Sequence, residues 1–280
     1  MLSHFTLDRH HDITHRLDAA AAAGCSAVGT HVGDYRRLEA DGTADRLVDM
    51  LDERNLCVGD IDALRDWAAP HSAARGDAAG NEATAFRIAE RLGCRSLHVL
   101  PPAGTSSAPT PADDPEWVTH TASFFAALCD RAAEHDLLVA IEFLPGTDIA
   151  DAAGARRVVE EADRSNGGLV LDVWHHERGA RDPAMLASLP AGLVIDVQLS
   201  DGPLVPVLAD YGEDTRRNRL PPGEGEMDLV GFVAAVRATG TGAPWAIEVC
   251  NDSGPGTTAG STAEWVGRCA AGLRSVLGQH

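Results

Sequence analysis

Four segments decide the fold: 137-LLVAIEFL-144, 168-GLVLDVWHH-176, 193-LVIDVQLSD-201 and 244-PWAIEV-249. Each is a short, nearly continuous apolar run that carries a polar residue near its end. Continuous apolar runs suit strands covered on both faces, as in a parallel sheet, better than half-exposed alternating strands. Three further runs of this kind lie upstream, at Ser26–Val32, Leu56–Ile61 and Ser96–Leu100, and a short initial strand is expected around His4–Leu7. Between the strands, apolar residues recur at three- and four-residue spacing. That predicts helices over Thr14–Ala23, Ala44–Arg54, Asn81–Leu92, Val118–His135, Ile149–Asp163, Leu229–Thr239 and Ser261–Leu277. Asp12 is placed to cap the first helix, and Gly24 follows it where a left-handed residue is wanted.

About eight strand–helix units in 280 residues match the ~250 residues of a (β/α)8 TIM barrel, an α/β fold, here one domain over residues 1–280. A doubly wound open sheet is the competitor, but it normally carries a glycine-rich phosphate turn after its first strand, and no GxGxxG occurs. Two irregular stretches, Pro102–Asp114 and Gly202–Glu226, follow strands and would overhang the C-terminal mouth of a barrel.

Composition excludes several classes of function. All 23 basic residues are arginine; the absence of lysine removes Schiff-base aldolases, pyridoxal-phosphate enzymes and P-loop NTPases, which need a lysine amine. With 42 acidic residues the net charge is −19, which repels a nucleic-acid backbone. No run approaches the ~20 apolar residues that span a bilayer, and the first fifteen residues lack the apolar core of a signal peptide. Six scattered cysteines without a CxxC pair read as reduced thiols. A cytoplasmic protein without membrane or nucleic-acid partners is expected.

In a TIM barrel, functional side chains project from the C-terminal ends of the strands. Glu142, Asp172 (with His175 three residues on), Gln198 and Glu248 then stand near one level on four consecutive strands. Carboxylates inside apolar strands are costly to bury without a cation. A divalent ion resolves their mutual repulsion, and hard oxygen donors favour Mg²⁺ or Mn²⁺. The alternative is that each group pairs separately with an arginine or caps a helix. His31 and His98, at the ends of the second and fourth strands, face the same mouth and are candidates for substrate contact or for packing. Asp60 and Asp62 straddle the end of the third strand; one of them is expected to face the barrel, with capping or solvent exposure the favoured role for either. Asp148 is a candidate for substrate contact but sits where a helix N-cap belongs, which is the favoured role. His10, His11 and His15 are expected on an exposed helical surface, and Trp67 and Trp174 are candidates for core or pocket wall.

The ordered set IEF, LDVWH, VQLSD, PGEGEMD and IEV, covering Leu137 to Val249, resembles the sugar phosphate isomerase/epimerase family of xylose isomerase-like TIM barrels. The resemblance implies one divalent metal, with Mn²⁺ or Mg²⁺ ahead of Co²⁺ or Zn²⁺, held by Glu142, Asp172, Gln198 and Glu248. It implies that Glu142 and Glu248 exchange protons with the substrate and that His175 contacts substrate or shuttles a proton. Many sugar epimerases have a histidine in place of Gln198; glutamine there resembles 3-dehydroshikimate dehydratases and some hydroxypyruvate isomerases. The arginine that epimerases carry soon after this ligand is missing, since Leu204 stands there, and Arg216, Arg217 or Arg219 is left to replace it, with Arg219 taken as the substrate contact. The expected activity is isomerisation or epimerisation of a small polyhydroxy carbonyl compound through an enediolate. Dehydration of a 3-dehydroshikimate or inosose type is the alternative. Members of such families are often homo-oligomers. An endonuclease IV-like nuclease and a non-catalytic subunit remain further readings, the former disfavoured by the acidic surplus.

Overall fold

The computed structural model describes residues 1–7, 12–65, 67–68, 74–101, 111–250 and 259–278. Its helices and strands alternate: α1 (Ile13–Ala22), β1 (Ala27–Thr30), α2 (Val32–Ala40), α3 (Leu47–Asp52), β2 (Cys57–Leu64), α4 (Ala74–Leu92), β3 (Ser96–Val99), α5 (Pro115–Ala133) and β4 (Leu138–Glu142). The order continues with α6 (Ala152–Ala162), β5 (Gly167–Asp172), α7 (Val173–Arg178), α8 (Pro183–Ala187), β6 (Val194–Leu199), α9 (Tyr211–Arg217), α10 (Leu229–Ala238), β7 (Trp245–Ile247) and α11 (Ala259–Leu277). The seven strands form one sheet in sequence order, every neighbouring pair parallel.

Leu2 closes the ring. It bridges Val28 of β1 on one side and Ile247 of β7 on the other, both in parallel sense. Its N–H donates to Ala27 O at 3.0 Å and its carbonyl accepts from Gly29 N at 2.8 Å, while Ser3 N reaches Ile247 O at 2.9 Å. The eighth stave is therefore Leu2 and its neighbours, not His4–Leu7 as the sequence suggested. Ser3 accepts Phe5 N and starts a 3₁₀ turn at His4–Thr6, so the chain has already left the sheet there.

The helices bury the faces that their periodicity marks. In α5, Val118, Ala122, Phe125, Leu128, Cys129 and Ala132 are buried at three- and four-residue spacing; covering Phe125 and Leu128 contributes roughly 1.5–3 kcal/mol each. Asp12 accepts Thr14 N at the start of α1, and Gly24 takes φ +73° just after it, both as expected. For α6 the cap is Asp151, which accepts Gly154 N; Asp148 is buried instead and caps nothing. The sequence missed α2, α7, α8 and α9, at most nine residues long, too short to establish a helical period. Residues 102–110 of the first irregular segment, and His10 and His11, lie outside the described residues.

The barrel interior is unusually polar. Between β5 and β6 the register shifts, Leu169 pairing with Val194 but Val170 with Asp196, so Ile195 is an extra residue. It packs with Ala140 and Val170 in a small cluster apart from the main core. Beside that cluster, Ser96 Oγ donates to Asp196 Oδ2 at 2.6 Å, and His98 Nε2 lies 2.8 Å from the same oxygen. β3 and β6 are not neighbours, so these bonds cross the lumen. β2 also runs three residues past the expected Ile61, which places Asp60 and Asp62 inside a strand at 1% exposure each. Neither caps a helix or meets solvent.

Candidate metal centre and active site

Four strand ends and two loop residues converge at the mouth. Asp172 closes β5 and caps α7: its Oδ1 accepts Trp174 N at 2.6 Å and His175 N at 3.4 Å. That fixes the carboxylate and leaves Oδ2 facing the site. His175, in the first turn of α7, sets its Nε2 2.9 Å from Glu142 Oε1 and 3.7 Å from Asp172 Oδ2. Its other nitrogen, Nδ1, is in close contact with the Tyr211 hydroxyl on α9. Glu248 follows β7 directly. Its Oε1 accepts Ser3 Oγ at 2.9 Å and Gln198 Nε2 at 3.2 Å.

Arg219 enters this cage from the loop before the Pro-Gly-Glu-Gly-Glu run. Its NH1 lies 2.8 Å from Asp172 Oδ2, 3.2 Å from Glu248 Oε2 and 3.1 Å from the Glu248 carbonyl, at 1% side-chain exposure. Asp201 sets that loop. Its carboxylate accepts the backbone N–H groups of Gly202, Gly223 and Met227, and its backbone pairs with Leu220. Gly225 is required there, since a Cβ would collide with Asp201 Oδ1. Of the three candidate arginines Arg219 is the buried one; Arg217 pairs with Glu213 at 3.9 Å on the surface.

Burial sets the electrostatics. Glu248 is pushed well above the usual carboxylate range by burial, which Arg219 opposes and Glu142 and Asp172 reinforce. Burial acts on Asp172 in the same direction, but Arg219 and His175 outweigh it and hold the group at about 2. The two carboxyls touching Arg219 are thus driven apart. Burial also raises the Tyr211 phenol, which keeps it protonated.

Glu142, Asp172 and His175 each bring a ligand atom within 4.8 Å of the other two. Gln198 spends its amide N–H on Glu248, and its Oε1 is buried without a hydrogen-bond partner. An orphaned buried amide oxygen beside three carboxylates is the donor set a divalent cation satisfies, so the residues fit such an ion. A second group, His4, His31 and Asp34, is also compact. Its atoms are already engaged: His4 Nε2 lies 3.1 Å from Asp34, which also meets Arg16 and Arg37, and Arg16 NH2 lies 2.7 Å from His4 Nδ1.

Glu142, Asp172, His175, Gln198, Arg219 and Glu248 are therefore brought together. His98 lies in the lumen on Asp196, and His31 accepts Gly33 N at 3.0 Å as the cap of α2. Trp174 is fully buried, Trp67 donates to Leu100 O at 2.6 Å, and His15 is exposed as expected. Tyr211 and Ser3 escaped the sequence reading. Tyr211 lies in an irregular segment without periodicity, and Ser3 is adjacent to the site only because Leu2 closes the ring.

The profile of the xylose isomerase-like TIM barrel family matches residues 17–269. The chain belongs to that family. Among curated relatives of this xylose isomerase-like barrel, a 3-dehydroshikimate dehydratase of Pseudomonas aeruginosa is 38% identical over 126 residues, 45% of this chain. One from Pseudomonas putida is 32% identical over 151 residues, 54% of this chain. The matched stretches span only 20% and 22% of those longer proteins. Among solved structures, the IolI protein with a bound zinc atom superposes with a TM-score of 0.86 at 16% identity, covering 99% of this chain and 97% of its own. That likeness is one of fold.

Proposed function

We propose that this chain is a divalent-metal-dependent lyase of the dehydratase type acting on a small cyclic hydroxy-ketone acid of the 3-dehydroshikimate class. The observation that carries the reading is the pairing of His175 with Glu142 at 2.9 Å in one group with Asp172, which Arg219 joins to Glu248 and its partner Gln198. Elimination of water next to a carbonyl needs a base for the α-proton, an acid for the departing hydroxyl and a positive centre for the oxygen that gains charge. Glu142, Asp172, Gln198 and Glu248 would hold the ion, and when bound it supplies Lewis acidity to the carbonyl oxygen.

The residues supply the rest. The Tyr211 hydroxyl meets His175 Nδ1 and Glu142 Oε1 meets Nε2, so the ring is held by both nitrogens in one orientation. His175 is then the group placed to exchange a proton with the substrate, taking the α-proton as base and returning it to the departing hydroxyl as acid, with Glu142 and Tyr211 fixing its ring. Arg219 neutralises part of the carboxylate charge, keeping Asp172 ionised at about 2 beside a protonation-prone Glu248. The 3-dehydroshikimate dehydratases among the curated relatives support this choice of product.

Isomerisation or epimerisation of a keto sugar is the second reading. Glu142 and Glu248 reach one cage from β4 and β7, two intervening staves apart, an arrangement that suits proton removal and return at different faces. Both readings share proton loss beside a carbonyl. Incubating the Mn²⁺-loaded protein in deuterium oxide with 3-dehydroshikimate and a panel of keto sugars, followed by NMR, separates them. Water loss from 3-dehydroshikimate supports the lyase, and deuterium uptake into an intact sugar supports the second reading. Neither outcome with any compound removes the proposal.

A further inference from the structure

Asp62 and His98, on adjacent strands of the lumen, keep polar atoms that neither the fold nor the chemistry above uses. Asp62 on β2 is 1% exposed, and both of its carboxyl oxygens are buried without a hydrogen-bond partner. On the adjacent strand β3, His98 is 0% exposed; its Nε2 is tied to Asp196 at 2.8 Å and its Nδ1 is buried without a partner. Unmet polar atoms on neighbouring staves are costly to the folded chain, and such groups call for an explanation.

Their position supplies one. Asp60, two residues earlier on the same strand face, lies against the backbone of Gly29, where a Cβ would stand 2.6 Å from its Oδ1. Its own carboxyl oxygens are likewise buried without a hydrogen-bond partner. Asp62 is one step nearer the C-terminal end of β2, in the register that pairs Ile61 with Leu97 of β3. It stands beside His98, whose partner Asp196 precedes the cage residue Gln198 by two positions on β6.

We propose that Asp62 and His98 Nδ1 form a hydroxyl-binding subsite on the inner wall of the pocket, holding a substrate hydroxyl other than the one that reacts. A hydroxyl gives its hydrogen to a carboxyl oxygen and offers lone pairs to a second polar group, the complement of this pair. The subsite selects polyhydroxy substrates over their deoxy counterparts, because a ligand lacking that hydroxyl leaves both groups unmet. It also turns any anionic substituent of the substrate away from β2, toward Arg219. The inference rests on the site being an enzyme's and deepens that reading.

The test uses the full chain and two variants, Asp62→Leu and the more conservative Asp62→Asn, each measured three ways. Stoichiometry with Mn²⁺ alone should equal that of the parent. The thermal midpoint should hold or rise, because an unmet buried carboxyl is removed. KM for the compound turned over in the NMR panel should rise on the order of tenfold in Asp62→Leu, and kcat should change much less. Unchanged kinetics overturn the subsite, as does a midpoint several degrees lower in both variants, which marks Asp62 as a support of the fold. If the parent turns over nothing, the proposed function fails while the midpoint still decides on Asp62: a higher value favours a group retained for a ligand, and a lower one refutes it.

Discussion

Glu248 concentrates the site's chemistry in one side chain. It accepts from Ser3 and Gln198 through one oxygen and faces Arg219 with the other. Glu248→Gln should therefore remove metal retention and turnover together, since an amide cannot supply the second charged oxygen. Metal analysis of the purified variant alongside the NMR assay checks this, and an active, metal-replete variant would contradict the assignment. Tyr211→Phe tests the other end of the relay. Losing the hydroxyl leaves the His175 ring held at one nitrogen only, and kcat should fall roughly 10- to 100-fold with metal content unchanged. The convergence of Glu142, Asp172, Gln198 and Glu248 was legible because a polar residue ending an apolar strand needs a reason to be there. Tyr211 was not, since an aromatic residue in a loop has no pattern to stand out from. Asp62 was misplaced because the D-I-D alternation ends the apolar run before it ends the strand.

Among the elements, the segment from Asp201 to Asp228 is the one that sequence periodicity could not resolve. Its order comes from side chain to backbone bonding. Asp201 collects three N–H groups from Gly202, Gly223 and Met227, and Asp214 takes those of Val207 and Leu208. Asp201→Ala should cost about 2–4 kcal/mol in urea unfolding, as donors in a buried turn lose their acceptor. It should also displace Arg219, which that turn holds in the cage. The seven named strands, by contrast, were readable in advance from their apolar content. Short α7 was hidden for a related reason: its apolar and polar residues serve Asp172 and the pocket, and leave no exposed face to alternate with.

For the molecule as a whole, two buried histidines bound the pH range of stability from opposite sides. For His98, burial opposes the charged form, but the bond with Asp196 and the nearby Asp60 prevail, raising its pKa from 6.5 to about 10. Its contribution to stability is complete below pH 6.5 and fades as the pH rises through about 10. His176 is lowered to about 4 by burial, so the unfolded chain takes up its proton first, and stability declines as the pH falls from 6.5 toward 4. Thermal midpoints across pH should show both limbs. His98→Gln should flatten the alkaline limb and His176→Phe the acidic one. If either slope persists in its variant, the corresponding histidine is not its source.

Ring closure at Leu2 ties the catalytic cage to the beginning of the chain. The joint between the first and last staves is only a few peptide bonds wide, and the residue after it, Ser3, is the one that steadies Glu248. Fraying there would cut a hydrogen bond to Glu248, the group proposed to hold the ion, even with every other strand intact. On the proposed assignment, loss of the metal and loosening of this seam are one event seen from two places. Amide exchange at Leu2, Gly29 and Ile247 should slow when the ion binds.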